Sequence, residues 1–296
     1  MPWLWAVFTV AAAGGQVLRN AMQKELTATL GTVGATHVRF LFGLPFALLF
    51  LAVVLGATQL PVPELNAAMI AWTVAAALAQ IAATALLLAT MQERSFVVAT
   101  SYVKTEPVHV AVLGLAFLGD QVTLALAVAI LIATAGVLIV SWPRSHAEEA
   151  FSWKPAALGT SSGALFAIAA IGYRGGILAL GAPNFVVAAT TTLVLGLVIQ
   201  TAILTAYLLL ADRPVLLAIF RAWRPSLFAG FMGAFASQMW FLAFALETAA
   251  KVRTLALIEI LFAQILSRNL FKQSVASREM VGVALIVLGV VLLLNL

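Results

Sequence analysis

The sequence predicts an all-α membrane protein, with ten transmembrane helices in two inverted five-helix repeats. Three observations lead there. Of the 296 residues, 64% are hydrophobic and 9% charged, with a mean hydropathy of +1.10. A soluble domain carries about 25% charged residues, so no separate soluble domain is expected. Apolar runs recur at about 20 residues, the length a helix needs to cross roughly 30 Å of hydrocarbon. They are continuous, unlike the alternating strands of a membrane barrel. Finally, a shift of 153 positions lays Gly43 on Gly196, Glu106 on Glu259 and Gly136 on Gly289 without a gap. The glutamate match carries the weight, because carboxylates are rare at bilayer depth. An odd number of spans per half makes the second half enter the membrane upside down.

The spans are expected at 3–24, 34–56, 67–91, 95–118, 121–141, 155–178, 184–211, 225–246, 250–271 and 277–295. The first repeat then covers 1–141, a connecting loop 142–154, and the second repeat 155–296. The loops 142–154 and 212–224 are polar and bear tryptophan. Trp3, Trp5, Trp142, Trp153 and Trp223 stand at span ends, where aromatic side chains mark the interface. The first segment lacks a basic leader and reads as a retained helix rather than a cleaved signal. The net charge of +5 does not imply nucleic acid, since the basic residues sit in short loops beside spans. With no cysteine, disulfides, thiolate metal sites and thiol nucleophiles are excluded.

Span one carries Gln16, Arg19, Asn20 and Gln23 at i, i+3, i+4 and i+7, a single polar stripe off the bilayer centre. His37 and Arg39 open span two on the same side. Together they suit a vestibule whose guanidinium forks match a carboxylate or phosphate. The alternative is snorkelling to the interface, which Arg39 and Lys24 reach more easily than Arg19. Gln80 falls at the centre of span three, where an amide bonds a polar ligand or joins helices.

Span four contains "SYVKTEPVHVAV" (101–112). An ionised Glu106 facing lipid would cost roughly 2.5–3.5 kcal/mol on insertion scales. It must face protein, water or a cation, or be protonated. It reads as a proton-titrating or substrate-contacting group, or as a structural tie between spans. Pro107 removes a backbone hydrogen bond and kinks the span. His109 lies three residues on and shares the face of Glu106, which suits a proton relay or a packed histidine. Lys104 points elsewhere, toward an anionic group or a neighbouring span.

In the second half, "GTSSG" (159–163) matches a hydrolase nucleophile pattern but lies in a helix rather than a strand–turn–helix. Gly159 with Gly163, and Gly172 with Gly176, read instead as close helix contacts. Tyr173, Arg174, Thr190, Thr191, Thr192, Lys251 and Arg253 gather on the opposite side from the first vestibule. Arg253 reads as an ordinary charged helix start. Gln238 and Trp240 lie near the centre of span eight; Trp240 could stack on a cationic group. Glu259 is the second mid-span carboxylate. No metal-ligand spacing or phosphate-binding glycine loop with its lysine appears, so no cofactor is expected. An intramembrane enzyme lacks its signatures, and a sensor lacks an output domain.

"TEPVHVAVLGLAFLGDQVT" (105–123) resembles a motif of EamA-type proteins in the drug/metabolite transporter superfamily. There a Glu-Pro pair sits within span four and a Leu-Gly-Glu-like turn leads into span five. Glu106-Pro107 and Leu118-Gly119-Asp120 stand at those places, and "VRF" (38–40) also resembles the family. The second copy keeps Glu259, but Ile260 replaces the proline and "FKQS" (271–274) the turn. The resemblance implies a multi-pass carrier, usually an exporter, expected in a bacterial inner membrane. The expected partners are the lipid bilayer and a small-molecule substrate, and Glu106 or Glu259 could take a coupling proton. An amino acid or derivative suits the mixed charges; a lipid-linked flippase is the alternative on the same scaffold. Lys and Arg bias alone places the odd-numbered loops in the cytoplasm and both termini outside. The family implies the reverse, and both orientations stand at this point.

Overall fold

A computed structural model describes residues 3–94, 96–141, 153–262 and 277–296. The described residues are helical, with no strand among them. Five segments are long and apolar enough to cross a membrane: Leu4–Thr58, Ala67–Glu93, Trp153–Leu180, Phe185–Ala211 and Trp223–Leu246. Leu124–Val140 and Met280–Leu294 are shorter apolar helices. The chain is thus a multi-pass integral membrane protein, and its outward side chains are those of a lipid-facing surface. Leu49, Val53, Phe117 and Leu210 are all exposed.

Helix α1 (Leu4–Leu41) is two legs joined at Gly31, whose φ of 66° and ψ of 178° suit glycine alone. Gln23 Nε2 donates to the Ala35 carbonyl at 2.9 Å. Twelve residues of straight helix span about 18 Å, so the chain folds back at Gly31. The predicted connection between spans one and two is therefore a single sharp corner, with helix up to it on both sides. A second break at Phe42-Gly43 precedes α2 (Leu44–Thr58), which starts with a proline in its first turn. Helix α3 (Ala67–Glu93) is capped by Asn66, whose side chain accepts from Met69 N at 2.8 Å.

The predicted span four is two helices, α4 (Phe96–Val103) and α5 (Glu106–Leu118), parted at Lys104-Thr105. Pro107 has no N–H to offer the Val103 carbonyl, so the first helix ends there and the second restarts. Gly119, at φ 67°, closes α5. Helices α6 (Leu124–Ser141), α7 (Trp153–Leu180) and α8 (Phe185–Ala211) follow. The stretch expected as loop 212–224 holds a short helix, α9 (Arg213–Arg221). Asp212 caps it, a proline sits in its first turn, and Leu216 and Ile219 bury its inner face. Those are helix-start signals within a segment too short to span. Residues 142–152 of the other expected loop, with Trp142, lie outside the described residues.

Helix α10 (Trp223–Leu246) leads to α11 (Ala249–Leu255), capped by Thr248. Span nine then tightens into a 3-10 turn, Ala256–Ile258, and resumes as helix at Glu259. It breaks without a proline; short 3-10 stretches inside helices mark hinges. The residues 271–274 lie outside the described residues. Helix α12 (Ser277–Leu294) ends the described chain.

Three helix pairs dominate the packing: α1 on α10, α3 on α7, and α6 on α12. The glycines expected as contact points serve as such. A side chain at Gly163 would meet the Val103 carbonyl at 2.8 Å, and one at Gly172 would meet Ala76 at 2.8 Å. Ser161, at the nucleophile position of "GTSSG", lies exposed along α7, while Ser162 donates to the Ala83 carbonyl at 2.7 Å. Trp3, Trp153 and Trp223 are exposed as interface residues are, whereas Trp5 is buried in the core. Trp5 lies two residues from Trp3 and so points to another side of the helix.

Candidate functional site

A narrow cleft opens where the two broken spans meet. Its polar wall comprises Gln16, Arg19 and Asn20 from α1, Lys104 and Glu106 from the break of span four, and Arg253 and Glu259 from span nine. Leu87, Val103 and Phe166 close its apolar side. The free space between these walls is about that of one water, so the cleft is nearly closed in this conformation.

Both glutamates are buried, Glu106 at 5% and Glu259 at 2% exposure. Each is held by a cation from the other half of the chain. Lys104 Nζ lies 2.6 Å from Glu259 Oε2, and Arg253 Nε lies 2.9 Å from Glu106 Oε1. The first contact is also an aligned hydrogen bond. The second is an ion pair whose N–H does not point along it. Gln16 Nε2 donates to Glu259 Oε2 at 2.8 Å, and Trp240 Nε1 donates to Gln16 Oε1 at 3.0 Å. Arg253 lies over the Trp240 ring at 4.4 Å and near Phe244 at 5.3 Å, so aromatic faces support its charge. Removing a carboxylate from water costs several kcal/mol, repaid only by a close, well-bonded partner. The crossed pairs supply that partner for both.

Arg19 is 1% exposed. Its Nε and Nη2 donate to Asn20 Oδ1 at 3.2 and 2.7 Å, while Nη1 has no partner. Arg39 donates to the hydroxyls of Thr84 at 3.2 Å and Ser237 at 3.4 Å. Gly233 lies beneath both arginine stems; a Cβ there would meet Arg39 Cγ at 3.0 Å and Arg19 Cδ at 3.5 Å.

Residues 3–142 match the family model described as the EamA-like transporter family. That family belongs to the drug/metabolite transporter superfamily, and the match spans the first repeat expected from the sequence. The EamA match includes Lys104 and Glu106 and ends before the second half. A solved structure titled only as a crystal structure of a protein aligns over 98% of this chain and 94% of its own. Its TM-score is 0.70 at 11% identity, which shows a shared fold across both halves. No curated protein matches the chain.

Within this EamA-like fold, the cleft gathers Arg19, Asn20, Lys104, Glu106 and Glu259 from the expected site residues. Arg39 stands behind Arg19, and Trp240 holds the cleft wall through Gln16 and Arg253. His109 is half-buried, with Nδ1 3.0 Å from the Thr105 carbonyl; no hydrogen bond joins it to Glu106 among the described residues. Gln80 sits outside the cleft, accepting from Gln200 at 2.8 Å and the Tyr173 hydroxyl at 3.2 Å. Gln238 donates to Thr190 at 2.9 Å, also outside it. These two amides join helices. Arg253, expected as a plain helix start, lines the cleft and pairs with Glu106, and Gln16 bridges Trp240 and Glu259. Lys251, by contrast, pairs with Glu247 at 3.5 Å, away from the cleft.

Proposed function

We propose that this EamA-like protein is a secondary carrier exporting a small polar or amphipathic metabolite by alternating access, with amino acids and their derivatives as the favoured class. The carrying observation is the meeting of two broken spans, each glutamate held by a cation from the opposite half. Broken helices beside a central cleft are where transporters of this general kind place their sites.

The helix pairing supports two inverted repeats. Under the shift of 153 positions, α1 falls on α7 and α3 on α10, so the α1–α10 pair maps onto the α7–α3 pair. Helix α6 maps onto α12, its own partner. Two halves related this way rock against each other about a shared centre. Parting them there requires Lys104–Glu259 and Arg253–Glu106 to separate. A proton on either glutamate removes the charge that holds its pair, which is how a proton gradient would drive the cycle.

The experiment reconstitutes the protein in vesicles and measures efflux of amino acids and derivatives under an imposed pH gradient. Glu106→Gln or Glu259→Gln should abolish acceleration by the gradient while leaving the protein folded. Unchanged gradient dependence in both variants would make the glutamates scaffold and sink proton coupling through them.

A further inference from the structure

We infer that Arg19 is the anchor for an oxyanion, a carboxylate or phosphate, and that the transported solute carries net negative charge. This rests on the carrier reading and narrows its favoured class: derivatives without a free ammonium are kept, and zwitterionic amino acids are not.

The cleft is lined by three cations, Arg19, Lys104 and Arg253, against two carboxylates, Glu106 and Glu259. Both carboxylates are already occupied, Glu259 by Lys104 and Glu106 by Arg253. A substrate ammonium would have to displace one of these cations. The surplus charge is Arg19, which no carboxylate approaches within salt-bridge distance among the described residues. Its one hydrogen-bonding partner is the neutral Asn20 amide, and its Nη1 is buried and unpartnered on a cleft-lining side chain.

A buried guanidinium left in this state is costly. The cost is greater because Arg39, itself 2% exposed and held by two neutral hydroxyls, shares the floor formed by Gly233. Two adjacent uncompensated guanidiniums are neutralised most simply by an oxyanion, whose paired oxygens match the guanidinium fork. A zwitterion would bring an ammonium into a wall whose acidic groups are taken. Amino-acid derivatives lacking a free amine, dicarboxylates and phosphate monoesters satisfy the charge.

The test uses apparent melting of the purified full-length protein. Glutarate, N-acetylleucine and glycerol 3-phosphate are the anionic probes, with leucine and arginine as zwitterion and cation. Ligands that bind the folded state raise its melting temperature. At least one anion should raise it, and leucine and arginine should not. Comparison of the carboxylates with the phosphate distinguishes the two oxyanions. Arg19→Gln keeps an amide donor for Asn20 but removes the charge. It should melt at or above the unliganded wild type and bind the responding anion at least tenfold more weakly. A lower melting temperature for unliganded Arg19→Gln would make Arg19 structural and overturn the proposal, as would undiminished anion binding by that variant. Stabilisation by leucine or arginine alone would overturn it too. If no probe shifts the wild type, the sign of the unliganded comparison decides. A protein that binds anions but moves nothing in vesicles would instead sink the carrier reading and leave the anion site standing.

Discussion

At the scale of single residues, the crossed ion pairs make a sharp prediction. Lys104→Met leaves Glu259 buried with only the Gln16 amide against it. Breaking a buried pair by removing one partner costs about 3–5 kcal/mol, whereas replacing both with neutral groups is often close to neutral. Lys104→Met should therefore lower the apparent melting temperature markedly, and adding Glu259→Gln should restore most of it. A double variant as unstable as the single one would mean that Lys104 acts through packing rather than charge. The sequence made part of this site legible and hid part of it. Lys104, Glu106, Glu259 and Arg19 are conspicuous because charge at bilayer depth needs a reason. Arg253 is not: five residues past a helix cap and near Lys251, it has the pattern of a cation snorkelling to the interface. Its pairing with Glu106 depends on how the two halves dock, which periodicity within one span does not encode.

At the scale of elements, the break in span four is written in Pro107, and its companion is written in Gly163. The proline frees the Val103 carbonyl, and α7 approaches that carbonyl so closely that only glycine fits. Pro107→Ala should let α4 and α5 join into a continuous helix. Proline inside a helix costs about 3 kcal/mol, so the variant gains local helix stability while shifting Lys104 and Glu106 out of register with span nine. Helical content by circular dichroism should rise slightly, and transport turnover in vesicles should fall at least tenfold. Equal turnover would mean that the break is incidental to function. The matching break in span nine was not legible. Ile260 stands where the first copy has Pro107, and the 3-10 turn at Ala256–Ile258 arises without any residue that demands it. Helix α9 is hidden for a different reason: its nine residues are too few for a span, so they carry no hydropathy signal at bilayer length.

At the scale of the whole molecule, a second polar cluster stands at the end of α5 opposite Glu106. Arg174 Nη2 lies 3.5 Å from Asp120 Oδ1, at the turn that ends α5, and Arg174 Nε donates to the Glu247 carbonyl at 3.2 Å. These contacts tie the end of α5 to α7 and to the corner between α10 and α11. In the proposed carrier this cluster would serve as a seal that opens when the opposite side shuts. The natural absence of cysteine makes the motion directly readable. Val110 lies one turn from Glu106 toward the Asp120 end, on the same face, and is fully buried. A cysteine at Leu87, which lines the cleft and is itself only 4% exposed, should react with a membrane-impermeant maleimide as the cleft opens on that side. A cysteine at Val110 should resist it until Arg174→Gln releases the seal, and the same change should protect the Leu87 position. Equal protection of Val110 with and without Arg174→Gln would show that the Asp120 end is held by packing alone. Simultaneous exposure of both positions would replace a rocking carrier with an open pore.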